Sequence, residues 1–149
     1  MSEPTPPSVR TPCLCHALRK ASRAVSRVYD DEMRSVGLRT TQFSLLVYLS
    51  RIGEVRQGDL GELMLLEDTT VTRNIRPLLN SGWVTIRAGT DRREKLVAIT
   101  AAGRSKLLEA QPAWTRAQSR MKSVLPEDQW QNLVNVLPDV AQAAAKLAP

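Results

Sequence analysis

Aromatic residues are scarce in this chain: one Phe, two Tyr and three Trp among 149 residues. So few rings argue against a surface that holds single-stranded nucleic acid by stacking successive bases. Histidine is scarcer still, with His16 the single copy. There is no nucleotide-binding loop, no Ser/His/Asp grouping and no paired carboxylates at a useful spacing. Catalysis therefore has no residue set to stand on, and no cofactor is expected. No apolar run is long enough to span a bilayer, and the first residues lack the hydrophobic stretch of a signal peptide. The expectation is a cytoplasmic chain with no membrane partner. The two cysteines, Cys13 and Cys15, stand one residue apart, which suits no disulfide framework.

What the chain has in excess is positive charge: 21 Lys+Arg against 15 Asp+Glu, a net charge of +6. That balance favours polyanionic partners. The length suits one domain with a real core. Residues 1–12 carry four prolines among small polar residues and read as a disordered tail. From Leu14 the pattern turns helical, with Leu14, Leu18, Ala21, Val25 and Val28 forming a narrow apolar seam. Such a seam on a long helix suits packing against other long helices, including those of a second subunit.

Gly37 ends the first helix, and Thr40 or Thr41 can cap the second, whose inner stripe is Phe43, Leu46, Val47 and Ser50. A third helix is expected to bury Leu60, Leu63 and Met64, although Gly58 and Gly61 each cost it about 1 kcal/mol relative to Ala. A fourth, from Asp68 to Ser81, buries Val71, Ile75, Leu78 and Leu79. Two strand-like runs, Trp83–Arg87 and Lys95–Thr100, enclose the polar turn Ala88–Glu94. Thr100 can cap a fifth helix carrying Leu107, Leu108, Trp114 and Met121, bent at Pro112. A sixth helix starts with Pro126 in its first turn and carries the seam Trp130, Leu133, Val134, Leu137 and Val140. The fold class is mainly α with a small β-hairpin: four helices, two strands, two helices.

The stretch Gly58–Arg104 carries the chemistry, because a helix-turn-helix pattern there runs straight into a hairpin with a basic tip. On the fourth helix the apolar stripe leaves Thr69, Thr70, Arg73 and Arg76 on the opposite side, with Thr72 and Asn74 on the flanks. Arginines can contact guanine bidentately, asparagine suits adenine, and threonines can reach phosphates or a thymine methyl. The hairpin tip holds Arg92, Arg93 and Lys95 beside Asp91, so Asp91 could orient one arginine while another cation enters a narrow minor groove. The plainer alternatives are a solvated polar helix face and an exposed charged turn. Their adjacency favours binding of double-stranded DNA. Pro77 lies nine residues into this helix, where it removes a hydrogen bond and can kink or shorten the helix.

The element order, the Asp91–Arg93 tip and the exit Leu96–Arg104 resemble the MarR family of winged-helix regulators. The family's wing reads Asp-x-Arg followed by a strand ending in Leu/Ile-Thr-x-x-Gly, which Asp91, Arg93, Ile99, Thr100 and Gly103 fit. The resemblance runs from Leu14 to the C-terminus. It implies a winged helix-turn-helix with long dimerisation helices: residues 13–38 and 105–149 for the homodimer, and residues 39–104 for the DNA-binding lobe. It also implies a pseudo-palindromic operator, with the fourth helix in the major groove and the wing alongside. A pocket between the dimer helices and the DNA-binding lobe is implied for a small-molecule effector, with His16, Tyr29 and Trp114 as candidate lining.

Leu14–Leu18, with Tyr29 fourteen residues after Cys15, is similar to the peroxide-sensing branch of the same family. Arg19 and the Thr40–Phe43 segment depart from that branch, which has tyrosines there. The candidate sensor is Cys13, Cys15 and Tyr29, with oxidation of Cys15, followed by a bridge to Cys13 of the partner subunit, releasing DNA. Cys13, Cys15 and His16 could instead hold a metal, although Cys-x-Cys-His is not a recognised spacing. A third reading makes both cysteines small buried thiols at the dimer interface. The functional expectation is a sequence-specific transcriptional regulator, a repressor released by an oxidant or a small ligand. The competing readings are a sequence-tolerant architectural DNA-binding protein and a thiol peroxidase or oxidoreductase centred on Cys15.

Overall fold

Leu14–Met33 forms α1, the first element in a computed structural model that describes residues 12–148. All but the last residue of the expected tail falls outside the described residues. Only Met33 of α1 is buried, because the helix packs mainly along one narrow apolar side. A short 3-10 turn, Arg34–Val36, leads to Gly37, whose φ of 70° lets the chain reverse without the Cβ strain of other residues.

Thr40–Ile52 forms α2, and neither threonine caps it. Arg39 holds the capping position and donates its N–H to Gln42 Oε1 at 2.9 Å. The Thr40 N–H donates to Asp30 Oδ1 at 2.7 Å, so a carboxylate of α1 closes the start of α2. Buried on α2 are Phe43, Leu45, Leu46 and Leu49, whereas the expected Val47 and Ser50 are only half-buried. Neighbours on several sides widen the apolar arc beyond a single stripe.

The two residues Val55–Arg56 form β1, a strand that the sequence pattern did not suggest. Gln57–Met64 forms α3 and Asp68–Asn80 forms α4. On α3, Leu60 is buried but Leu63 is 53% exposed, contrary to expectation. Gly61 is buried, and a Cβ there would lie 3.0 Å from the Leu66 carbonyl oxygen and 3.1 Å from Val71, so the turn between α3 and α4 needs its bare backbone. On α4, Val71, Ile75 and Leu78 are buried while Leu79 is 41% exposed. Pro77 does not end α4, which continues for three residues past it.

Val84–Ala88 forms β2 and Lys95–Ile99 forms β3, paired antiparallel from Val84–Ile99 to Ala88–Lys95. β1 pairs with the other edge of β3, so the expected hairpin is part of a three-stranded sheet of order β1-β3-β2. Ala101–Val124 forms α5, one continuous helix that runs through the expected boundary at residue 104 and past Pro112. Thr100 caps it: its Oγ1 accepts from the Gly103 N–H at 3.0 Å and donates to the Gly82 carbonyl at 2.7 Å. The buried side of α5 is Gly103, Ala110, Ala113 and Ala117, while Leu108 is 77% exposed. Small residues there let α1 and α5 approach closely, and the two helices pack chiefly on each other.

Glu127–Ala145 forms α6, with Pro126 capping it from an extended conformation one position earlier than expected. No residue of α6 is buried. The core therefore lies among α2, α3, α4, α5 and the sheet, with Met33 of α1 joining it, and the apolar side of α4 rests on it.

Candidate nucleic-acid interface

The apolar side of α4 fixes what its opposite side presents. With Val71, Ile75 and Leu78 seated in the core, the outward stripe lines a groove of about 600 Å³ with Asp68, Thr69, Thr72, Arg73, Arg76 and Pro77. Thr69, Thr72, Arg73 and Arg76 are exposed, whereas Thr70 and Asn74 are half-buried on the far flank and do not line the groove. The Arg73 guanidinium donates to Thr70 Oγ1 at 3.4 Å, a weak contact that leaves most of its donors unused. Thr72 is more constrained. Its hydroxyl donates to the Asp68 carbonyl and accepts from Gln57 Nε2, both at 2.9 Å. Gln57, at the start of α3, thus helps shape the α4 surface. No periodicity marked it, because the contact joins two helices fifteen residues apart.

The wing tip is a turn tied by its own backbone. Gly89 N–H donates to the Glu94 carbonyl and Glu94 N–H to the Asp91 carbonyl, both at 2.9 Å. Asp91 Oδ1 accepts from the Arg93 N–H at 2.9 Å. The expected role of Asp91 is thereby corrected: its carboxylate holds the turn's main chain and not an arginine guanidinium. The Glu94 carboxylate sits 3.2 Å from the Arg56 guanidinium, which ties the tip to the segment entering α3. Arg92, Arg93 and Lys95 are exposed, and among the described residues none of them, nor Arg73 or Arg76, has a carboxylate within ion-pair distance. A second groove, about 420 Å³, runs between Gln57–Asp59 and Arg93–Lys95.

Several arginines elsewhere are engaged. Arg87 meets Glu54 through two hydrogen bonds of 2.5 and 2.8 Å, and those bonds hold the Glu54 carboxyl below its usual range. Between α1 and α5, Arg116 lies 2.9 Å from Glu32, and Arg120 lies 3.1 Å from both Asp31 and Glu32. The Arg116 hydrogen bond, helped by Arg120, holds the Glu32 carboxyl below the usual glutamate range. Cations on β2 and α5 therefore brace the fold, while those on α4 and the tip face outward unpaired.

The candidate sensor residues are spread along α1. Cys13 stands at the N-cap and Cys15 in the first turn, both free and exposed in the single chain. His16 is exposed beside them, and these three form no metal-binding cluster among the described residues. Tyr29 donates its hydroxyl to Gln118 Oε1 at 2.5 Å across the α1–α5 seam, and burial pushes its phenol pKa up. Fourteen residues of helix separate Cys15 from Tyr29, about 21 Å of rise, so they cannot touch within one chain. His16 and Tyr29 are nearly as far apart, which rules out one small-ligand pocket lined by both in the same subunit. Trp114 packs against the core.

Residues 36–94 match the MarR family. The chain is 34% identical over 96 residues to the uncharacterized HTH-type transcriptional regulator YwoH of Bacillus subtilis, covering 64% of this chain and 70% of that one. Its structure is similar to that of the M. tuberculosis transcriptional regulator MosR solved in complex with DNA. The TM-score is 0.82 at 31% identity, over 93% of this chain and all of that one. It also shares the fold of an E. coli MarR cysteine-to-serine mutant complexed with operator DNA, with a TM-score of 0.75 at 19% identity over 85% of this chain and 92% of that one.

Proposed function

The chain belongs to the MarR family and is a DNA-binding transcriptional regulator, and from that premise we propose that it acts as a homodimeric repressor on a pseudo-palindromic operator. The observation that carries this reading is the outward stripe of α4 with the exposed tip Arg92–Lys95 beside it, all five cations unpaired. Arg73 and Arg76 read guanine edges in the major groove, while Arg92, Arg93 and Lys95 grip the neighbouring minor groove. Two-fold symmetry repeats the arrangement about one turn of DNA away, or a small multiple of it. Support for the dimer comes from α6, where Leu133, Val134, Val136 and Leu137 are each 42–53% exposed. Such a helix needs a second surface to cover it.

Competition of a selected duplex against random DNA at physiological salt tests the sequence preference. A regulator should favour its operator by at least ~10³. Equal affinity for both would instead make this an architectural protein that coats DNA.

The signal for release is an oxidant acting at Cys15, a reading favoured by the exposure of both thiols at the α1 N-terminus. Peroxide converts the Cys15 thiolate to a sulfenic acid. Attack by the thiol of Cys13 of the partner subunit then forms a disulfide and releases water. Operator binding of wild type and Cys15→Ser, with and without peroxide, decides the matter. If both proteins leave the DNA alike, Cys15 is not the sensor; if neither leaves it, a small ligand is the signal.

A further inference from the structure

The hydroxyl of Thr72 has one proton, and that proton is spent on the Asp68 carbonyl. One of its two lone pairs is filled by Gln57 Nε2. A phosphate oxygen, guanine O6 or N7, and thymine O4 all need a donor, and this side chain has none left to give. What remains on an exposed residue lining the α4 groove is one acceptor lone pair, of use only to adenine N6 or cytosine N4, and the Cγ2 methyl group, the one part that can meet a thymine. Thr69, one turn earlier in the same groove, has no side-chain hydrogen-bond partner among the described residues and keeps its hydroxyl for phosphate or base. Two threonines on one face thus carry different chemistry, and the difference is set by the Asp68 carbonyl of α4 together with Gln57 of α3.

We propose that Thr72 is a specificity-determining residue that selects thymine by packing its methyl group against the C5-methyl of the base, with its hydroxyl locked into the α3–α4 contact. This rests on the operator-binding reading above. Apolar contact with the thymine methyl is a recognised mode of major-groove readout. Burying one methyl-sized group corresponds to about a fourfold change in affinity, so two symmetry-related contacts give about fifteenfold.

The probe is a duplex enriched from random DNA by the full-length protein, remade with each thymine of the half-site replaced in turn by uracil, which removes only the C5-methyl. Wild type should lose about fourfold to fifteenfold at one position and little at the others. Thr72→Ser, which keeps the hydroxyl and lacks the methyl, should bind the thymine and uracil duplexes equally. Thr72→Val, which keeps a methyl and lacks the hydroxyl, should retain the uracil penalty. Circular-dichroism melting of both variants reports whether each is folded, and Thr72→Ser alone decides the question should the valine variant unfold. Enrichment of a sequence that tolerates uracil everywhere would overturn the methyl contact and leave the regulator reading intact. So would a uracil penalty that persists in Thr72→Ser. Failure to enrich any sequence would overturn both.

Discussion

Arg73 and Arg93 carry the same charge but should fail differently, because one faces the groove side of a helix and the other tops a turn. Arg73→Ala is expected to cost about 1–3 kcal/mol on the selected duplex and to relax preference at one operator position. Arg93→Ala should weaken binding to any duplex and lower the slope of log affinity against log salt by about one. Titrations of both variants on selected and random DNA at several salt concentrations check this; equal losses on both duplexes for both variants would contradict the assigned roles. A third residue acts only through packing. Gly103 lies where the first turn of α5 meets the start of β2 and the end of β3, and a Cβ there would collide with the Trp83 carbonyl oxygen and Ile99. Gly103→Ala should therefore destabilise the fold by about 1–3 kcal/mol, seen as a lower melting temperature with or without DNA. The wing motif Ile99-Thr-x-x-Gly103 reads in this light as a joint: Thr100 ties the start of α5 to Gly82, just past the end of α4.

Elements were legible in the sequence wherever their pattern was local. The face of α4 follows from Val71, Ile75 and Leu78, and the hairpin from two strand-like runs around a polar turn. β1 escaped because two residues have no periodicity, and its strand identity comes from pairing with β3 some forty residues later. The Asp30 cap on α2, the Gln57–Thr72 bond and the Arg56–Glu94 pair escaped for the same reason: each joins residues that adjoin only after folding. On α5 the large residues misled, since close approach to α1 selects Ala110, Ala113 and Ala117 and leaves Leu108 outside. That close approach carries its own prediction. Glu32 bridges α1 to Arg116 and Arg120 of α5, and its folded pKa is depressed. A depressed carboxylate pKa stabilises the fold above the unfolded value, and the contribution disappears as pH falls through the folded one. Glu32→Gln should thus melt lower than wild type at neutral pH, with the gap closing below the usual glutamate range. High salt should narrow the gap too, because the pair is at the surface. A gap constant from neutral to acid pH would show that the clamp contributes no linkage.

For the whole molecule the decisive surface is the one that the single chain leaves bare. α6 shows four large aliphatic residues near half-exposure, and α1 adds Leu14 at 65% and Val25 at 36%. Burying a large aliphatic side chain fully is worth about 1.5–3 kcal/mol, so covering the exposed halves of the four α6 residues on both subunits gives roughly 6–12 kcal/mol. Association itself costs an estimated ~4–15 kcal/mol, so α6 alone is marginal and the seam of α1 must join it. The proposed dimer should therefore be sensitive to a single charge at the centre of the α6 seam. Leu137→Asp places one carboxylate per subunit there, two per dimer, where desolvation penalises it twice. Sedimentation is expected to give twice the chain mass for wild type and for Arg73→Ala, and a single chain for Leu137→Asp. The wild-type melting temperature should rise with protein concentration, as for any fold coupled to association. DNA affinity in Leu137→Asp should fall on the selected duplex far more than on random DNA, since the operator needs two helices at fixed separation and nonspecific contact needs only cations. A wild-type protein that sediments as one chain at micromolar concentration, yet still prefers the selected duplex by ~10³, would show that α6 is covered by something other than its own copy.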